Sequence, residues 1–279
     1  MQKKKMNLIN KAKELFFHNT KYRQEDIADI KQIHNGYVNI SFLFILKNQV
    51  KYQIRLSSGV KLVNRKAEYE ILKLTKNEDF IYYDKKTGNA IKKWIDGSHP
   101  NKKEILKRKF IKNLVGEIKK LHNIKITSTS IPKIDYGLYN KNIDKLDSNI
   151  KSCYLKLLDK YQNLPLVINH SDINSQNLIV DKKFNVHLID WEWTTLNNDY
   201  WDYANFIREE YIPINKIKLF TRYNKKLDIN ILQDHIFICC TFALLWTHAM
   251  DQTDKIKQYN QKLIKQVNMY CNHFYKDKM

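Results

Sequence analysis

The sequence predicts an α+β protein, with a small β-rich N-terminal lobe at residues 1–95 and a larger, mainly helical C-terminal lobe at residues 96–279. Three observations carry that division. Before Gly97, runs of branched and aromatic residues alternate around short polar turns, as in antiparallel hairpins. After Gly97 the apolar spacing changes to threes and fours, the period of amphipathic helices. Within the helical lobe a single stretch, Val167 to Asn205, breaks that period with short apolar runs set between Asp, Asn and His residues.

The elements follow in order. Residues 5–17 place Leu8, Ile9, Ala12, Leu15 and Phe16 on one face of a short helix. After a polar stretch come IHNGYVNISFLFIL, a turn at Asn48-Gln49, and VKYQIRLS, which together read as a hairpin. Asn35-Gly36 and Asn39 stand at its start. A glycine there would let backbone N–H groups approach phosphate oxygens, and the same glycine is also an ordinary turn residue. Arg55 lies in the second strand. VNRKAEYEILKLTK then reads as a helix with Val63, Ile71 and Leu74 as its stripe, and Glu68 and Glu70 are both candidates to pair with Arg55. Residues 79–96 form a second hairpin that turns at Lys85 to Asn89. Helices are expected over 105–122, 150–161, 214–224, 229–250 and 254–276, with a polar connector at 124–149 and an irregular segment containing Pro213.

Composition narrows the class of partner. The net charge of +20 invites a nucleic acid, but lysine is spread through every segment, and no Arg-rich run or basic–aromatic cluster forms a footprint. A small molecule is therefore expected, and no nucleic acid. With no run of about eighteen apolar residues, no membrane span is expected. The basic N-terminus lacks the apolar core of a signal peptide. Four cysteines without CxxC or metal-ligand spacing suit a reducing cytoplasm. The chain is expected to work alone or as a homodimer.

The central stretch carries the chemistry. Val167-Ile168, Leu178–Val180 and Val186–Ile189 read as short strands, with Asp181-Lys182-Lys183 as a turn. His170-x-Asp172-x4-Asn177 precedes the second strand, and Asp190 ends the third, thirteen residues after Asn177. Singly, each is an ordinary turn residue. Jointly they suit phosphoryl transfer, where a protein positions a nucleophile and neutralises charge. Asp172 would accept the proton of an attacking hydroxyl. Asn177 and Asp190 would hold Mg²⁺, which favours one or two side-chain oxygens plus phosphates. His170 would orient the loop.

The chain resembles the choline/ethanolamine kinases, most closely the bacterial LicA-type branch of the aminoglycoside-phosphotransferase and protein-kinase-like superfamily. The residues that carry the resemblance are HNGYVN at 34–39, YQIRL at 52–56, NRKAE at 64–68, KKLH at 119–122, HSDINSQN at 170–177 and IDWEW…DYWDYANF at 189–206. It implies a bilobal protein-kinase-like fold with ATP and Mg²⁺ in the cleft. Asp172 then matches the catalytic base, Asn177 and Asp190 the metal ligands, and Asn174 a polar position close to the substrate hydroxyl. Asn35, Gly36 and Asn39 fall on the nucleotide side. Arg55 takes the place where protein kinases use lysine, with Glu68 as its helix partner.

The acceptor is a separate question. A quaternary ammonium offers no conventional hydrogen-bond donor, so aromatic faces and nearby carboxylates recognise it. Trp191, Glu192, Trp193, Trp201, Tyr203, Glu209, Glu210 and Tyr211 cluster after Asp190. In the resembled family Trp193 matches an aromatic that faces choline, and Glu209 an acidic residue near the ammonium. Tyr211 joins this set. The family's C-terminal Trp-x-x-Trp here reads Ala243-Leu244-Leu245-Trp246, so one tryptophan is absent and Trp246 alone is carried over. Trp191 and Trp201 suit core packing better, and Asp202 suits holding the loop. The expected reaction is ATP-dependent phosphorylation of choline. Ethanolamine, thiamine or an aminoglycoside are alternative acceptors, and a non-catalytic basic binding protein on the same scaffold is the rival from another class.

Overall fold

A computed structural model describes residues 2–35, 39–57, 63–127 and 130–275, the side chains of residues 2–5, His34 and Asn35 excepted. The chain divides into two compact units. One comprises Met1–Gly97 with Ser128–Ile131 and Trp191–Trp193, and the other the remainder.

The N-terminal unit is built on a five-stranded antiparallel sheet. Helix α1 (Gln2–Asn19) precedes strands β1 (Ile27–Asn35), β2 (Asn39–Leu46) and β3 (Lys51–Ser57). Helix α2 (Arg65–Leu74) then leads to β4 (Phe80–Tyr83) and β5 (Ala90–Lys93), giving the order β1-β2-β3-β5-β4. Alternation along β2 and β3 sends Phe42, Phe44, Tyr52 and Ile54 inward, where Ala12 and Phe16 of α1 cover them. The ring of Phe16 sits 5.2 Å from that of Phe44 and 5.3 Å from that of Tyr52. The long first run of the expected hairpin is in fact two strands. β1 is an edge strand whose Asp29 and Lys31 face solvent and pair at 3.3 Å, so its polar sequence hid it. α2 is also turned differently from its expected stripe. Asn64 caps it by accepting from the Ala67 N–H, and its buried face is Arg65, Ala67, Glu68, Ile71 and Leu72.

The C-terminal unit begins with the short α3 (Lys102–Ile105) and α4 (Arg108–His122). The six apolar residues expected on α4's inner face, Phe110, Ile111, Leu114, Val115, Ile118 and Leu121, are its buried ones. Helix α5 (Ser148–Tyr161) follows, capped by Asp147. Four short strands come next: β6 (Val167–Asn169), β7 (Leu178–Val180), β8 (Val186–Leu188) and β9 (Thr195–Asn197). β7 pairs with β8, whereas β6 pairs with β9, and β9 was not expected. Helices α6 (Trp201–Glu209), α7 (Ile214–Tyr223), α8 (Ile229–Ala249) and α9 (Asp254–Tyr275) complete the unit.

One expectation is corrected here. Helix α6 was not expected: it starts inside the central stretch and runs into the segment read as irregular before Pro213, and it is buried along Trp201–Arg208. Helix α8 is long and apolar enough, by length and composition, to cross a membrane; 67% of its apolar window is buried inside the structure. It packs here as a core helix among α5, α6 and α9.

Candidate active site

The loop from His170 to Asn177 hangs between β6 and β7 and is held from below by one carboxylate. Asp202, fully buried in α6, accepts the backbone N–H of His170 at 3.0 Å and of Ser171 at 2.8 Å. It also lies 3.1 Å from Nε2 of His122. Ser171 has φ 69°, and its hydroxyl is 2.7 Å from that of Thr195 in the paired strand. His170 is fully buried, with Nε2 2.9 Å from the carbonyl of Ile189. Burial pushes its pKa down, so the ring is a neutral strut between the two halves of the motif.

These contacts present Asp172. Asn177 donates to its carboxylate at 2.8 Å and to its backbone carbonyl at 2.8 Å, and Asn174 donates to the other carboxylate oxygen at 3.1 Å. The Asn174 oxygen in turn accepts the Gln176 N–H at 2.9 Å, so this amide shapes the loop as well as touching the carboxylate. Asp190 follows β8 with φ 68°, a left-handed conformation that a non-glycine residue adopts only when its surroundings impose it. The Asp172 carboxyl is pushed up to about 7, first by burial and then by the carboxylates of Glu209 and Asp190, against the opposing hydrogen bonds of Asn177 and Asn174. Three acids therefore share one small region of this unit, an arrangement that a cation relieves.

Residues from α6 and α9 frame the acidic side. Glu209 is ion-paired with Arg208 at 2.7 Å and accepts the Tyr259 hydroxyl at 2.8 Å. Arg208 also donates to the Tyr259 oxygen at 2.8 Å and to Asn205 at 2.7 Å, and the Asn205 amide reaches the carbonyl of Ile173. Trp246 is half-buried, its ring edge-on to Tyr259 at 6.2 Å. Glu210 accepts the Ser175 N–H at 2.5 Å, a second tether on the loop. Tyr211 is 44% exposed beyond the helix, with Lys102 5.8 Å from its ring. Trp191 and Trp201 are core residues, Trp201 packing edge-on against Tyr136 and Phe242.

In the N-terminal unit, the expected ion pair forms with Glu68: Arg55 Nη1 is 2.7 Å from its carboxylate, while Glu70 faces Lys73 at 3.8 Å. The pair belongs to a larger buried network. Arg65 bonds Glu68 at 2.9 Å and Glu192 at 3.2 Å, Asn39 joins Arg65 and Glu192 at 2.9 Å each, and Tyr83 donates to Glu68 at 2.6 Å. These bonds hold the Glu68 carboxyl below its usual range despite burial. Both ends of the Asn39 amide are thus taken up by side chains. Trp193 is 44% exposed on the single turn Trp191–Trp193. Gly36 and the side chain of Asn35 lie outside the described residues.

Comparison with known proteins places this architecture. No protein-family model matches the chain. It is 35% identical over 249 residues to the uncharacterized protein MG356 homolog of Mycoplasma pneumoniae, covering 88% of this chain and 86% of that one. It is 24% identical to the protein LicA homolog of Mycoplasma capricolum, over 75% of this chain and 88% of that one. Among solved structures, a choline/ethanolamine kinase family protein from Mesorhizobium loti superposes with a TM-score of 0.71 at 16% identity, covering 90% and 91% of the two chains. Choline kinase LicA from Streptococcus pneumoniae superposes at 0.69 and 16%, covering 88% and 95%. A GDP and kanamycin complex of APH(2″)-IIia gives 0.65 at 11%, covering 91% and 95%. The chain belongs to the family of the MG356 homolog and has the choline/ethanolamine kinase fold.

Several partners of these residues were hidden from sequence reasoning. Arg65 and Glu192 are separated by 127 positions, and Tyr259 lies 50 residues beyond Glu209. Glu192 stands in the IDWEW motif, and Arg65 in NRKAE. Their own charge, in segments otherwise apolar on one face, was the available clue. Among the described residues no group of three or more His, Cys, Asp or Glu is set to hold a metal. Mg²⁺ needs fewer, since phosphates and water complete its shell. The donor set fits it. The Asn177 Nδ2 is committed to Asp172, so its carbonyl oxygen is the end of the amide available to a hard cation, and Asp190 supplies a carboxylate.

Proposed function

We propose that the protein is an ATP- and Mg²⁺-dependent kinase that phosphorylates the hydroxyl of choline, giving phosphocholine and ADP. The observation that carries the reading is the Asp172 carboxylate, held by Asn174 and Asn177 and raised to about 7 by burial, Glu209 and Asp190. A carboxylate held by two amide donors is positioned to accept a hydroxyl proton, and Mg²⁺ on Asp190 would favour its ionised form. The acceptor oxygen, losing its proton to Asp172, forms a bond to the γ-phosphorus. The bond to the β,γ-bridging oxygen breaks, and ADP leaves with that electron pair. Asn177 and Asp190 would hold Mg²⁺, which supplies charge neutralisation at the phosphates.

Asn174 orients Asp172 toward the hydroxyl. Arg55, fixed by Glu68, serves the nucleotide phosphates, for which a planar guanidinium is well suited. Asn39 supports that pair through Arg65, and Asn35 and Gly36 are assigned to the phosphates with it. Glu209, Trp246 and Tyr211 are assigned to the trimethylammonium, with Trp193 as a further aromatic. A methylated cation gains from aromatic faces and a carboxylate without needing hydrogen-bond acceptors. ATP use and four free thiols suit a cytoplasmic setting.

An acceptor panel tests the reading: ADP release with choline, ethanolamine, thiamine and kanamycin, each with and without Mg²⁺. Choline is expected to give the highest kcat/KM, and chelation to abolish it. ADP release with another acceptor and none with choline moves the assignment to that acceptor. Release with none of them, together with salt-sensitive nucleic-acid binding, favours the non-catalytic rival.

A further inference from the structure

Helix α6 ends on a ring of contacts around the acid assigned to the acceptor. Arg208 Nη2 lies 2.7 Å from Glu209 Oε1, and Arg208 Nη1 donates to the Tyr259 hydroxyl oxygen at 2.8 Å. The same hydroxyl donates to Glu209 Oε1 at 2.8 Å, which closes the ring. Neighbouring residues on a helix do not face each other, so helical spacing alone does not make this ion pair. Tyr259 of α9 bridges the two.

The arginine is fixed, whereas the acid reaches solvent. Arg208 Nη2 also donates to Asn205 at 2.7 Å, and Gln266 donates to the Arg208 carbonyl at 2.8 Å. The Arg208 side chain is 8% exposed, against 25% for Glu209. Among the described residues, both bonds to the Glu209 carboxylate fall on Oε1, so Oε2 is the oxygen left for a ligand. Trp246 is half-buried with its ring edge-on to Tyr259 at 6.2 Å, so a further aromatic borders the same cluster.

That arrangement treats two kinds of cation differently. A primary ammonium carries three N–H donors, each of which needs an acceptor in place of water. A carboxylate with one oxygen already taken by a guanidinium and a phenol has less to offer them, and the buried arginine offsets its charge. A quaternary ammonium carries no such donor, draws on aromatic faces and diffuse negative charge, and loses less. Specificity is a difference between two affinities, and leaving a competitor's donors unmatched is one way to create it.

We propose, on the reading that Glu209 faces the acceptor cation, that Arg208 is a specificity-determining residue. By occupying Glu209 Oε1 together with Tyr259, it selects a methylated ammonium over a primary amine. Arg208 acts through Glu209 and is in that sense a positioning residue.

The test compares choline with ethanolamine on the full chain, by isothermal titration calorimetry for binding and by ADP release for turnover. Wild type is expected to favour choline in both. Arg208→Met keeps an unbranched side chain but removes the charge and the donors. It should lower the choline-to-ethanolamine ratio of affinities by about tenfold or more, the worth of one hydrogen bond to a charged group. Tyr259→Phe takes away the other donor to Oε1 and should shift the ratio the same way by a smaller factor. A purely structural role would weaken both ligands in proportion and leave the ratio where it was. An unchanged ratio in folded Arg208→Met, or a wild type that favours ethanolamine or binds neither, overturns the proposal. If circular dichroism shows Arg208→Met unfolded, an unchanged ratio in Tyr259→Phe overturns it instead. Binding with the shifted ratio but no ADP from either alcohol would uphold Arg208 and overturn the kinase reading. ADP from choline with an unchanged ratio would do the reverse.

Discussion

Replacing Asp172 with asparagine should stabilise the protein while disabling it, and the size of the effect follows from the acidic cluster. The carboxyl is raised from 3.8 to about 7 in the folded state, by burial first and by Glu209 and Asp190 next. At about 1.4 kcal/mol per pKa unit, that gap is worth about 4 kcal/mol. The sign is destabilising. Between the two values the folded state keeps a proton that the unfolded chain has released, so stability falls as pH rises from about 4 to about 7. Below that window both states are protonated, and above it both are ionised, so the contribution is constant on either side. Asp172→Asn removes this dependence. The replacement amide loses something in exchange, because one of its ends is an N–H₂ that cannot accept the donor bonds now made by Asn174 and Asn177. That loss is independent of pH and shifts the whole curve. Urea unfolding of both proteins at a series of pH values isolates the linked term. The variant's stability relative to wild type should grow by about 4 kcal/mol between pH 4 and pH 8. Parallel curves across that range would refute the burial of Asp172 beside Glu209 and Asp190, whatever happens to activity.

Other consequences can be checked separately. Glu68→Ala leaves Arg55 and Arg65 facing each other without their shared carboxylate, and should cost about 3–5 kcal/mol of stability by denaturant unfolding. Gly88 has φ 80°, and a Cβ there would stand 2.3 Å from the Arg65 side chain. Gly88→Ala should therefore destabilise by about 2 kcal/mol or more, through both backbone strain and displaced arginine. Tyr259→Phe removes the hydroxyl that bonds Glu209 and Arg208, and should raise the KM for choline several-fold with a smaller change in kcat. An effect on kcat alone would place Tyr259 with the phosphoryl-transfer residues instead.

Legibility in the sequence tracked how local each interaction is. The inner face of α4 could be read because one side of that helix meets solvent and the other the core. α6 was missed although Trp201, Ala204 and Ile207 follow a helical spacing, because it begins inside the stretch read for its strands and Trp201 through Arg208 are all buried. β1 was missed for the opposite reason, being an exposed edge whose residues look like a loop. The motif around Asp172 was legible because its members lie within about twenty residues and meet across short strands. Asp202, thirty-two positions from His170, was recognisable only through resemblance, yet it holds that loop by two backbone bonds. The choice between Glu68 and Glu70 depended on the rotation of α2, which its apolar residues alone misassigned, because the helix buries two charged side chains in place of the outer end of its stripe.

The central claim is phosphorylation of choline with Asp172 as the base. It is tested most directly by following choline, ATP and Mg²⁺ by ³¹P NMR with wild type and Asp172→Asn under identical conditions. The account predicts phosphocholine and ADP appearing in equal amounts with wild type, and at least about a hundredfold slower with the folded variant. No phosphocholine from wild type, or equal rates from the two proteins, would contradict it.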